Sequence, residues 1–278
     1  MKKLLKLLSL TALAGVLAVV LAACGGGAGS AASSAASSEG GKIVVAATPV
    51  PHADILRDAV APILAEQGYE LEVQEFTDYV LPNTATEEGE VDANFFQHVP
   101  YLDDFNAENG THLVSVAGVH IEPMSIYAGR TTSIDDLQDG ALVAVPNDAT
   151  NEGRALLLLQ TAGLITLDDP ENLAATPQNI VDNPKNLKFQ EIEAASVPSF
   201  LPDVDIAIIN GNYALSAELS AEQILFTEGA ESPYVNVIVV KEGNENSPAI
   251  QALVDAVLSD EVREYINSKY NGEVVAVF

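Results

Sequence analysis

The chain is short of cysteine, tryptophan and positive charge. Its 278 residues include one cysteine, no tryptophan, and 12 lysines and arginines against 40 aspartates and glutamates, for a formal charge of −28. One cysteine excludes an internal disulfide, so stability has to come from a packed core. The scarcity of basic residues excludes nucleic acid as a partner, because binding a phosphate backbone requires clustered lysine and arginine. So acidic a chain is also repelled by an anionic membrane surface, and the charge reads as a device for solubility.

Catalytic signatures are missing as well. No GxSxG, HExxH, CxxC or Walker loop occurs, and the four histidines, His52, His98, His112 and His120, have no partner at metal-ligand spacing. The expectation is therefore a non-enzyme with no metal and no cofactor. No repeat of 20–50 residues is present.

What is there begins at the N-terminus. Lys2, Lys3 and Lys6 precede an uncharged apolar run that ends in Leu21-Ala22-Ala23-Cys24. This is a secretory signal, and its ending resembles the bacterial lipobox, in which the cysteine is lipidated and becomes the first mature residue. A transmembrane helix would need about 20 apolar residues followed by a stop-transfer charge pattern, whereas residues 25–41 are Gly, Ala and Ser with one Glu. Residues 1–23 are expected to be the signal peptide and 24–41 a flexible tether, anchored by acyl chains at ~0.8 kcal/mol per buried methylene. Cleavage removes three lysines and no acid, which moves the charge from −28 to −31.

From Lys42 onward strands and helices alternate. Lys42–Ala47, Leu71–Phe76, Ala141–Val145, Asp205–Ile209 and Val235–Val240 read as strands. His52–Gln67, Asn151–Ala162, a segment opened by Ser247-Pro248, and Glu261–Tyr270 read as helices, the second capped by Thr150 or Asn151 and stopped by Gly163. The pattern predicts an α/β fold with mostly parallel sheets.

Three stretches hold candidate binding residues. In Asn147–Arg154 a polar loop enters a helix, and Arg154 in its first turn opposes the helix dipole by roughly 0.3–1 kcal/mol. A guanidinium beside free backbone N–H groups makes a carboxylate site; the other reading is a pair with Glu152 or a nearby acid. In Asp92–Tyr101 aromatics and amides interleave, as suits an apolar pocket with a few hydrogen-bonding groups. Asn210 and Asn236 stand at the end and the start of apolar strands; ligands in α/β sheets bind beyond the carboxyl ends of strands, which places Asn210 well, although turn-forming asparagines are common.

Together these stretches resemble the NlpA/MetQ family of methionine-binding lipoproteins. The likeness rests on Asp78–Asn83 (DYVLPN), Val91–Leu102 (VDANFFQHVPYL), Pro146–Asp148, Asn151–Leu159 (NEGRALLLL), Gly163–Ile165, Asp203–Asp205 and Ser232–Asn236 (SPYVN). It implies a type II periplasmic-binding-protein fold with two α/β lobes and a ligand cleft between them. Lobe 1 would comprise residues 42–123 and 241–278, and lobe 2 residues 124–240. It implies an extracytoplasmic lipoprotein, held at the cell membrane through Cys24, that delivers L-methionine or a close analogue to an ABC permease and its ATPase. Carried over by position, Tyr79, Phe96, His98 and Tyr101 would surround the ligand side chain, and Arg154 would hold the carboxylate with help from Asn151. Asn210 and Asn236 would reach the ammonium, in a pocket with no acidic group for a cationic side chain. Thr48–His52 lacks the glycine that many relatives carry after the first strand, which bears on selectivity if that loop touches the ligand.

A receptor for another small apolar amino acid, a D-amino acid or a methionine-containing dipeptide is the nearest alternative. An adhesin or surface antigen without a transport role is the alternative from another class; an empty cleft would have no use for Arg154, Asn210 and Asn236 together.

Overall fold

The computed structural model describes residues 40–229 and 232–278, so the signal segment, Cys24 and most of the tether lie outside the described residues. The first strand, β1 (Lys42–Ala47), runs into a wide-turned helical stretch that ends in α1 (Ala61–Glu66). Next come β2 (Glu70–Glu75), α2 (Leu81–Glu88), β3 (Ala93–His98), α3 (Val99–Asn109) and the nine-residue β4 (Leu113–Ile121). Beyond a crossing at 122–124 lie β5 (Ser125–Ala128), β6 (Leu142–Pro146) and α4 (Ala149–Thr161). A small hairpin of β7 (Thr166–Leu167) and β8 (Ile180–Asp182) precedes β9 (Lys188–Ile192), β10 (Ile206–Ile209), α5 (Gly211–Ser216) and β11 (Ile224–Thr227). The chain ends with β12 (Val235–Lys241), α6 (Pro248–Val257), α7 (Asp260–Tyr270) and β13 (Val275–Ala276).

The strands form two large sheets. One has six strands in the order β13-β4-β12-β3-β1-β2, the other five in the order β11-β5-β10-β6-β9. Each sheet is buried on both faces, as the period-two pattern requires. In β10, Ile206 and Ile208 pack into one cluster of the second lobe while Ala207 and Ile209 pack into another on the opposite face. In β12, Ile238 and Val240 join the main core of the first lobe and Val237 and Val239 face a separate aromatic cluster.

Two expectations need correction. The sheets are mixed rather than mostly parallel: β1 pairs in parallel with β2 and β3, and β6 with β9 and β10, but β12 runs antiparallel to both β3 and β4, and β5 to both β10 and β11. The antiparallel members flank the two crossings, where the chain leaves one sheet and returns to the other. The return was expected after residue 240, yet β12 bonds to β3 and β4 over its length, so it belongs to the first lobe and the second crossing lies between Thr227 and Val235. An apolar run shows that a segment is a strand and leaves its sheet open.

Candidate ligand-binding site

Arg154, Glu122, Asn210 and the aromatic residues of β3 and α3 converge on one cavity between the two sheets. Its lining includes all eight residues expected from sequence, Tyr79, Phe96, His98, Tyr101, Asn151, Arg154, Asn210 and Asn236, together with Gln97, Glu122, Gly211 and Asn212.

The aromatic wall follows from the end of β3. His98 has extended backbone and caps α3, its Nδ1 accepting from the Tyr101 N–H at 3.1 Å, and Pro100 fits the first turn because it has no N–H to lose. Strand alternation then puts Phe96 and His98 toward the cavity, while Phe95 turns away to pack edge-on against His52 at 4.6 Å. Tyr79 completes the wall, with ring centroids 5.8 Å from Phe96, 5.7 Å from Tyr101 and 4.9 Å from Tyr213. Gln97 is also tied into the first lobe, since its amide bonds to Asn83 and Asn94.

On the opposite side, α4 is capped by Asp148, which accepts from the Asn151 N–H at 3.0 Å, rather than by Thr150 or Asn151. Arg154 is therefore in the second turn of α4, not the first, beyond the reach of the N-terminal dipole. Its guanidinium is nonetheless buried, 3% exposed. Nε donates to both oxygens of Glu228 at 3.1 and 3.2 Å, and Nη2 to Glu228 and to the carbonyl of Glu122 at 2.8 Å. The Tyr234 ring centre lies 4.2 Å from Cζ, a cation–π contact. Among the described residues, Nη1 alone of the guanidinium nitrogens takes no partner. Of the two readings made for Arg154, the acid pair is present, with Glu228 rather than Glu152 as partner, and one edge of the guanidinium remains for a ligand.

Sequence reasoning missed Glu122, an acid in the cavity lining. Glu122 Oε1 accepts from His120 Nε2 at 2.7 Å, and His52 Nε2 lies 3.2 Å away. His52 Nε2 is also 3.2 Å from Asn236 Oδ1, and its Nδ1 is 2.7 Å from Thr48 Oγ1. An Nε2 facing two acceptors carries the proton, and Thr48 donates to Nδ1. Burial pushes the Glu122 carboxyl up, but attraction to His52 and the hydrogen bond from His120 outweigh it and hold the group below its ordinary value. Among the described residues Oε2 takes no hydrogen bond, and it borders the cavity beside Gly211, where a Cβ would come within 2.9 Å of Glu122 Cβ. His52, His120 and Glu122 bring ligating atoms within 4.8 Å of one another, a grouping that sequence spacing did not reveal. Hydrogen bonds account for those contacts.

Four amides line the rest. Asn151 Oδ1 accepts from Asn210 Nδ2 at 2.7 Å and from His98 Nε2 at 3.2 Å. His98 is neutral: burial, then the Arg154 charge, lowers its pKa to about 3. Among the described residues Asn210 Oδ1 and Asn212 Nδ2 are buried without a partner, one an acceptor and one a donor. The cavity thus offers an acidic oxygen, a guanidinium edge and spare amide groups at one end and rings at the other, which suits a zwitterion with an apolar side chain.

A family model described as NlpA lipoprotein matches residues 43–278. The chain is 47% identical over 221 residues to the D-methionine-binding lipoprotein MetQ of Escherichia coli K12, covering 78% of this chain and 82% of that one. Among solved structures it is similar to a nutrient binding protein from Burkholderia cenocepacia bound to methionine, with TM-score 0.81, 41% identity and coverage of 85% of this chain and 100% of that one. It is also similar to the substrate binding protein of a methionine transporter from Streptococcus pneumoniae, with TM-score 0.80, 39% identity and coverage of 85% and 96%. The two-lobed α/β architecture is that of the substrate-binding proteins of methionine transporters.

Proposed function

The chain belongs to the NlpA lipoprotein family, and from that premise we propose that it is the substrate-binding lipoprotein of an ABC importer, capturing L-methionine or a close analogue outside the cell membrane. The observation that carries this reading is the convergence on one cavity of two opposite charges, Arg154 and Glu122, and an aromatic wall of Tyr79, Phe96 and Tyr101. A zwitterion leaving water needs a partner for each charge. Arg154 Nη1 suits the carboxylate, with Asn151 Nδ2 and Asn212 Nδ2 as further donors. Glu122 Oε2 and Asn210 Oδ1 suit the ammonium, and Glu122 takes over the part expected of Asn236, whose Oδ1 already faces His52. A thioether against ring edges gains about 0.3–1.5 kcal/mol per contact.

In this reading Cys24 carries the acyl anchor, residues 24–41 span the distance to the bilayer, and a membrane permease with a cytoplasmic ATPase receives the ligand. No described helix is long and apolar enough to cross a membrane. Thermal unfolding tests ligand capture. Methionine at a hundredfold excess over its Kd adds about 2.7 kcal/mol of stability, so the midpoint rises with methionine and stays fixed with glutamate or lysine. A midpoint indifferent to methionine contradicts the reading.

A further inference from the structure

Glu228 lies just after β11, at the start of the second crossing, with its side chain 16% exposed. It is fastened to the first crossing by its backbone, whose N–H donates to the Met124 carbonyl at 2.9 Å, and by its carboxylate, which accepts from the Met124 N–H at 3.2 Å. The same carboxylate takes the Nε–H of Arg154 and one N–H of Nη2. Guanidinium has five N–H donors in one plane. Among the described residues, Glu228 and the Glu122 carbonyl use three, Tyr234 covers one face of the plane, and the Nη1 edge is left for the cavity.

We propose that Glu228 is a positioning residue for ligand capture: it acts through Arg154, fixing the guanidinium so that its Nη1 edge meets the ligand's α-carboxylate. Resting on the reading of Arg154 given above, the proposal adds a residue that touches no ligand. It also changes how the carboxylate is recognised. Arg154 and Glu228 together are a neutral pair, so the carboxylate is read by two directed N–H groups more than by net charge. Glu228 further ties this recognition to both crossings between the lobes.

The test compares methionine with methioninamide, which keeps the ammonium and thioether but lacks the carboxylate, by calorimetry on the full-length chain in detergent. The wild type prefers methionine, and Arg154→Ala removes the preference. Glu228→Ala is expected to weaken methionine ~10-fold or more, the scale of a lost charged hydrogen bond, and to leave methioninamide unchanged within about threefold. Glu228→Gln, which keeps one acceptor for Nε, recovers part of the loss and serves alone if the alanine variant does not fold. Equal loss for both ligands would mark Glu228 as merely structural and overturn the proposal, as would undiminished preference in both variants. If Arg154→Ala itself leaves the preference intact, the carboxylate assignment fails and the role of Glu228 falls with it.

Discussion

Arg154 Nη2 donates to the backbone carbonyl of Glu122 at 2.8 Å, so the cation and the acid of the cavity are joined at the point where the chain first crosses between lobes. With Glu228 holding the guanidinium and His120 the Glu122 carboxylate, both charges are fixed before any ligand arrives, and a preorganised site loses less on binding than one that must order itself.

Replacing the cation tests the carboxylate end. Arg154→Lys keeps a positive charge but loses the planar fork and the stack on Tyr234. Methionine affinity is expected to fall ~30-fold or more by calorimetry, with the far-ultraviolet dichroism unchanged. An affinity within threefold of wild type would remove Arg154 from the site.

At the other end, Glu122→Gln keeps the side-chain shape and one acceptor oxygen but drops the charge and turns the second oxygen into a donor. Methionine binding should weaken by about 1–3 kcal/mol, while N-acetylmethionine, which has no ammonium, should bind no worse than to wild type. Equal weakening of both ligands would show that Glu122 serves only the packing around His52 and His120.

Burial of His52 and His98 dictates an acid sensitivity. Burial first, for both, keeps them neutral down to about 4 and about 3, whereas an unfolded histidine takes up a proton near 6.5. Below that value the unfolded state binds more protons, so stability falls on acidification by about 1.4 kcal/mol per pH unit for each proton. Urea midpoints at pH 7, 6 and 5 should fall in that order; a flat profile would contradict the assignment.

Glu152 works in the opposite direction. Burial, then the neighbouring Glu191, raises its carboxyl to about 7. A raised carboxyl costs stability as pH climbs from the unfolded value toward the folded one. Glu152→Gln should therefore stabilise the protein at pH 8 by about 1–3 kcal/mol and change little at pH 5. Destabilisation at pH 8 would mean that the ionised group has a partner.

The sequence was informative wherever local rules act. Ser247-Pro248 opens α6 as a capping residue and proline should, and the amide–aromatic run of β3 announced a surface that is neither plain core nor plain solvent face. Local rules failed where partners are remote. For Arg154 the sequence offers Glu152 or another nearby acid, but Glu152, two residues away on a helix, cannot face it; its acid is Glu228, 74 positions on. His120 stands only two residues before Glu122, but nothing in His120-Ile121-Glu122-Pro123 marks a pocket acid, because His52 arrives from the helical stretch after β1 and Gly211 from beyond β10. Likewise β12 reads as a strand from its own residues, while its membership of the first sheet depends on β3 and β4.

Capture of methionine by this cavity is tested by calorimetry of the protein from Lys42 onward, unfolded and refolded to strip ligand, against each of the twenty amino acids and D-methionine. Saturable one-site binding of methionine, abolished in Arg154→Ala, is the predicted result. Saturable binding of another amino acid, with no heat from methionine, would contradict it.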